Sequence, residues 1–139
     1  MSIGCGSGFL EALLLQYSRE NDGTAINLRG VEVASCTNKY LPEDRFMQVP
    51  TTTSIHSDAM LATVLMFVYP RESRLLTLYI DTFKSGALKQ IFWIGHRDDW
   101  VEFSQSLYAA LCTVEVIDDS GLPEYELFAV ATLPKPGLD

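Results

Sequence analysis

The residues best suited to chemistry stand at the start of the chain. Gly4-Cys5-Gly6-Ser7-Gly8 is entered from Ile3 and followed by Phe9, Leu10, Leu13, Leu14 and Tyr17 at helical spacing. Glycines just before a helix expose backbone N–H groups and the positive end of its dipole, and they let a ligand approach the main chain closely. Such a loop suits an anionic or nucleotide-like group. The G-x-G-x-G spacing departs from the dinucleotide fingerprint, which needs glycine where Phe9 stands, and no Gly-Lys-Ser or Gly-Lys-Thr supplies a phosphate-binding lysine. Glu32 lies 24 residues beyond Gly8, at the end of the second predicted strand. A carboxylate there can accept hydrogen bonds from both hydroxyls of a ribose. Taken singly, the glycines read as a tight turn and Glu32 as a strand-end charge. Together in a strand–loop–helix–strand frame they favour a nucleoside site.

The elements that must position these residues follow from the apolar pattern. The opening helix runs to the turn signal Asn21-Asp22-Gly23, and residues 28–34 carry a short β-favouring run around Val31 and Val33. Residues 39–45, with Pro42 inside, read as a loop or short broken helix, and Phe46 to Val49 as a weak strand closed by Pro50. Residues 62–69 form the strongest strand, an unbroken apolar run of the kind buried on both faces of a parallel sheet. A helix over 72–84, a buried strand over 90–94, a helix from Asp98 or Asp99 through Leu111, and strands over 113–117 and 125–133 complete the series. The last two strands have no helix between them, which predicts an antiparallel pair near the sheet edge. The pattern is α/β with a mostly parallel sheet.

Length and composition narrow the class further. The chain has 139 residues, the size of one domain, with 47% apolar and 20% charged residues, enough to build a core without disulfides or metal. Ten basic against 18 acidic residues give a net charge of −8, which disfavours nucleic-acid and anionic membrane partners. Cys5, Cys36 and Cys112 are odd in number and widely spaced, so buried free thiols are expected and no metal-ligand pattern. No secretory signal and no apolar run near the roughly 18 residues of a membrane span is visible, so the cytoplasm is the expected location.

Ile3 to Glu11 resembles motif I of the class I S-adenosylmethionine-dependent methyltransferases, and Gly30-Val31-Glu32-Val33 their second motif, whose acid holds the cofactor ribose. Residues 65–70 are similar to the family's fourth-strand segment and residues 121–126 to its C-terminal hairpin. The resemblance implies a three-layer αβα Rossmann-like methyltransferase domain over residues 1–139, mostly parallel with an antiparallel C-terminal hairpin. It implies S-adenosyl-L-methionine as cofactor, held by Gly4, Cys5, Gly6, Ser7, Gly8 and Glu32. Two departures stand out. The family usually carries an acid two positions before the first glycine, a contact to the methionine end, and here that residue is Ser2. The first strand is also nearly absent, with three residues where about five or six are typical, so the chain reads as truncated or as completed by a second copy in a homodimer.

Methyl transfer is an in-line displacement that needs alignment of two reactants and a base only when the acceptor must lose a proton. No catalytic base is therefore assigned from sequence. His56, before the fourth strand, and Tyr69, at its end, are weak candidates for substrate contact; for His56 an ordinary loop histidine is the favoured reading, and for Tyr69 an ordinary strand end is equally acceptable. Asp58 has the family's position for an adenine contact. His96-Arg97-Asp98-Asp99 lies at a ligand-binding edge, where helix capping by the aspartates is the favoured reading. Trp93 and Trp100 read as packing residues. Cys5 sits at a helix N-terminus, which lowers a thiol pKa. A methyltransferase acting on a small-molecule acceptor is the expected function. A non-catalytic methyltransferase-like binding or assembly module is the alternative, and a nucleotide-dependent oxidoreductase is disfavoured by the glycine spacing.

Overall fold

The computed structural model describes residues 1–23 and 26–136, in two compact units, residues 1–56 and 57–139. The first unit holds β1 (Ser2–Ile3), α1 (Phe9–Asp22), β2 (Gly30–Val33), a 3-10 turn over Glu43–Arg45, and β3 (Phe46–Val49). β2 pairs in parallel with β1 on one side, Ile3 opposite Val31, and with β3 on the other, Glu32 opposite Gln48. β1 is as short as the sequence implies. The Gly4 and Cys5 amides both donate to the Val31 carbonyl, so the loop stays tied to β2 after the strand ends.

Cys5, Leu15, Leu28 and Leu41 form this unit's apolar core, with Leu14 and Phe46 packed against it. Here α1 departs from its expected orientation. Its spacing of Phe9, Leu13 and Tyr17 predicts a buried stripe, yet these three are exposed, and Glu11, Leu15 and Ser18 are the buried ones. Leu10 and Leu14, the other two apolar residues of the expected set, are half-buried, and Leu14 packs against the core. Gly23 in the left-handed region closes α1, donating its amide to the Arg19 carbonyl. Ser18 receives the Ile26 amide on its hydroxyl, which satisfies that buried polar group.

The second unit holds β4 (Val64–Val68), α2 (Ser73–Phe83), β5 (Gln90–His96), α3 (Trp100–Ala109), β6 (Thr113–Val116) and β7 (Glu126–Thr132). β4 and β5 are parallel, Phe67 opposite Trp93. β7 then runs antiparallel to β5 and β6 antiparallel to β7, which is the expected C-terminal hairpin, with β7 taking the place between β5 and β6. Leu65, Phe67, Leu76, Tyr79, Ile91, Trp93, Phe103 and Leu107 are almost wholly buried, and Trp93 lies 5.1 Å from Trp100 and 5.4 Å from Phe103 between ring centroids. Both tryptophans are packing residues. Among the described residues no helix is long and apolar enough to cross a membrane.

Candidate functional site: the opening glycine loop

The loop between β1 and α1 turns on three left-handed residues, Gly4 (φ 74°), Gly6 (φ 57°) and Gly8 (φ 80°). L side chains rarely adopt this region, so the G-x-G-x-G spacing is a backbone requirement. The surroundings of the three differ. A Cβ on Gly8 would stand 2.9 Å from both Asn38 Oδ1 and Leu41 Cγ, whereas a Cβ on Gly4 or Gly6 would meet nothing within 4 Å. Gly8 is a packing glycine, and the open face of the loop lies over Gly4 and Gly6. The far side is braced by Asn38, which bonds the Leu41 amide and carbonyl, and by the Lys39 and Tyr40 amides on the Ser7 carbonyl.

Glu32 reaches this loop. Its Oε2 accepts the Gly6 amide at 2.9 Å and its Oε1 accepts the Val33 amide at 2.8 Å. The juxtaposition expected from sequence is present, because β1 and β2 are adjacent and parallel and Glu32 leaves β2 level with the loop. Each carboxylate oxygen retains a lone pair for a further donor. The arrangement also has an electrostatic consequence: the amide that would greet a phosphate is already bonded to an anion. No side chain caps α1. The helix end therefore offers backbone N–H groups next to a carboxylate, a combination suited to a hydroxyl-bearing, uncharged or cationic ligand.

Cys5 is the buried free thiol expected from the sequence, and its burial outweighs the effect of the helix end. A helix N-terminus lowers a thiol pKa, yet here burial, and after it the charges of Glu11 and Glu32, push the Cys5 thiol up to about 12. Cys5 packs in the core and a Cβ on Gly30 would stand 2.7 Å from its Sγ. At pH 8 Cys5 is expected to react with iodoacetamide at least about a hundredfold more slowly than an unperturbed thiol of pKa about 8.5. Mass-spectrometric alkylation time courses check this, and equal rates would show that the thiol is neither buried nor held neutral.

Ser2, where an acid was expected, is 1% exposed and donates its hydroxyl to Glu11 Oε1 at 2.7 Å. Glu11 is 2% exposed and its Oε2 has no hydrogen-bond partner. Sequence reasoning missed this residue. The signal was a lone acid among Phe9, Leu10, Ala12, Leu13 and Leu14, which reads as a helix-terminal charge until the helix phase is known.

His56 is half-buried at the end of the first unit, and Asp58 sits in a 3-10 turn over Ser57–Leu61 in the second. Tyr69, also in the second unit, is exposed at the end of β4 in the left-handed region (φ 49°), and its hydroxyl donates to Glu126 Oε1 at 2.7 Å. That hydrogen bond, foremost, pushes the phenol up to about 12, so Tyr69 is a neutral donor at physiological pH. The aspartates after β5 do not cap α3: Asp99 at its N-cap makes no side-chain bond. The capping side chain in this stretch is His96, whose Nδ1 accepts the Asp98 amide at 3.1 Å and caps the 3-10 turn over Arg97–Asp99 that leads into α3. The imidazole can do this because β5 continues through His96, two residues past the predicted strand.

No protein-family model and no curated protein matches the chain. Solved structures do match. Magnesium protoporphyrin IX methyltransferase from Synechocystis, crystallised with bound SAM, superposes at a TM-score of 0.58 with 11% identity, over 96% of this chain and 68% of that one. Precorrin-6y C5,15-methyltransferase from Geobacter metallireducens gives 0.59 with 11% identity, over 96% and 78%. A dimethyladenosine transferase from Plasmodium falciparum gives 0.54 with 11% identity, over 96% of this chain and 55% of its own length. The chain thus has the Rossmann-like fold of the S-adenosylmethionine-dependent methyltransferases, a mixed α/β fold with an antiparallel C-terminal hairpin.

Proposed function

We propose that residues 1–139 act as a single methyltransferase-like domain that binds S-adenosylmethionine on the Gly4–Gly8 loop and transfers its methyl group to a small-molecule acceptor. One observation carries this reading: Glu32 stands at hydrogen-bond distance from Gly6 beside a loop face open over Gly4 and Gly6. The residues fit the cofactor. The two glycines lacking neighbours leave room for a nucleoside, and Glu32 has the acceptors for a ribose diol. A pyrophosphate would instead have to displace Glu32 from the Gly6 amide and meet its charge at close range, which disfavours a dinucleotide.

S-adenosylmethionine supplies an electrophilic methyl group on a sulfonium. The chain's own part is to hold and orient it: Glu32 fixes the sugar, and the small loop residues let it lie against the main chain. The acceptor's class follows from charge. A net charge of −8 repels a polyanion, so a small molecule is favoured over RNA or DNA, although the Plasmodium enzyme's name shows that the fold itself also serves nucleic-acid chemistry.

Titration calorimetry with S-adenosylmethionine, S-adenosylhomocysteine and NAD tests the reading. Micromolar binding of the two adenosyl sulfur compounds and none of NAD is expected, with Glu32→Ala weakening both by about tenfold or more, the loss of charge-assisted hydrogen bonds worth about 1.5–3 kcal/mol. Tighter binding of NAD, or binding of no ligand by the folded chain, would overturn it, and the second result would point to a non-catalytic module.

A further inference from the structure

Glu11 is the one described acidic side chain that is fully buried, and the proposed ligand contacts do not use it. A buried carboxylate is costly unless its oxygens are bonded, and here only Oε1 has a donor, the Ser2 hydroxyl at 2.7 Å, while Oε2 has none. The helix dipole favours an acid in the first turn of α1, but it does not require that the carboxylate be buried with one oxygen unbonded. Glu11 nevertheless lies beneath the glycine loop, because Ser2 immediately precedes Ile3 and the loop, and the first turn of α1 follows the loop directly. The Cys5 thiol, inside the loop, is pushed up by burial and then by the charges of both Glu11 and Glu32.

Two carboxylates therefore flank one short loop. Ser2's hydroxyl and the Gly6 and Val33 amides that hold them carry no charge to cancel theirs. Away from bulk water such charges act over several ångströms with little screening by salt. A cation resting on the open face lowers their energy, whereas a neutral ligand of the same shape leaves it unchanged.

We infer that Glu11 is a specificity-determining residue whose buried charge makes the glycine loop prefer a sulfonium over the corresponding thioether. This rests on the cofactor reading above, and it assigns that site a preference between S-adenosylmethionine, which carries one more positive charge, and S-adenosylhomocysteine, which has lost it with the methyl group. Glu11 works through space, and Ser2 sets its position. The consequence for turnover is that Glu11 holds the demethylated product less tightly, relative to the reactant, than a neutral residue there would.

The test is calorimetry of both ligands on the full chain, wild type and Glu11→Gln, an exchange that keeps the shape and the acceptor for Ser2 but removes the charge. The ratio of the two Kd values is the readout, because a merely structural role weakens both ligands alike. Glu11→Gln is expected to lower the wild-type preference for the sulfonium about tenfold, equivalent to about 1.4 kcal/mol. Ser2→Asp combined with Glu11→Thr places the charge on the other side of the same contact and is expected to keep the ratio within about threefold of wild type. An unchanged ratio in Glu11→Gln overturns the inference and leaves the cofactor reading standing. If Glu11→Gln fails to fold by thermal melt, the exchanged pair decides, its preference retained in support or lost in refutation. Binding of neither ligand by the wild type would defeat both the cofactor reading and this one.

Discussion

Gly6→Arg is expected to abolish binding of S-adenosylmethionine and S-adenosylhomocysteine, by at least about a hundredfold, while leaving the chain folded. Three features of Gly6 combine to give this size. Its amide is the one bonded to Glu32, its φ of 57° is unsuited to a side chain, and the direction a Cβ would take is open for 4 Å. The arginine therefore projects into the space proposed for the nucleoside, within reach of Glu32, where a guanidinium would pair with the carboxylate and remove the acceptors meant for ribose. The left-handed backbone costs about 1–2 kcal/mol, against a typical domain stability of about 5–15 kcal/mol, so folding survives. Calorimetry with both ligands, alongside circular dichroism and a thermal melt, checks the two halves separately. Binding at wild-type strength would remove the loop from the site altogether.

Gly8→Val is expected to act in the opposite way, by unfolding. Gly8 has the larger positive φ, 80°, and three atoms, Asn38 Oδ1, Leu41 Cγ and the Leu41 amide nitrogen, lie at 2.9 to 3.0 Å from where a Cβ would be. A β-branched residue pays the left-handed penalty of about 1–3 kcal/mol and an overpacking penalty of similar size. The neighbours cannot withdraw cheaply, because Asn38 is fastened to Leu41 at 2.7 and 3.0 Å and Leu41 belongs to the core with Cys5, Leu15 and Leu28. A loss of about 3 kcal/mol or more in urea unfolding is expected, a large share of a typical domain stability of about 5–15 kcal/mol. Gly4→Ala is the control, since its φ of 74° is similar but nothing crowds the position, and a loss near 1 kcal/mol is expected there. Equal losses in the two variants would show that the packing against Leu41 does not matter.

These contrasts show where the chain's one-dimensional pattern carries the site and where it does not. The loop and the acid were legible because their signals are local: glycines adopt positive φ where other residues cannot, and an acid at the end of the next parallel strand must lie near the loop when the two strands are neighbours. The order of strands and helices and the closing antiparallel pair were legible for the same reason, as apolar runs and turn residues report backbone conformation directly. The phase of α1 was not legible. Phe9, Leu13 and Tyr17 are as apolar as any stripe the helix has, yet the fully buried residues are Glu11, Leu15 and Ser18, because burial is set by what the helix meets across the fold and not by its own sequence.

Amino-acid order alone thus determined a glycine turn, the strand that follows it with its terminal acid, and an alternating α/β chain, because each depends on torsional preference or on periodicity along the backbone. Tertiary structure alone decided that Ser2 meets Glu11, that the charges of Glu11 and Glu32 add to burial in pushing up the Cys5 thiol, and that His96, with no aspartate side chain capping α3, caps the 3-10 turn leading into it. Burial, side-chain pairing and the strength of a charge are set by what lies across the fold, and no spacing within a single segment encodes them.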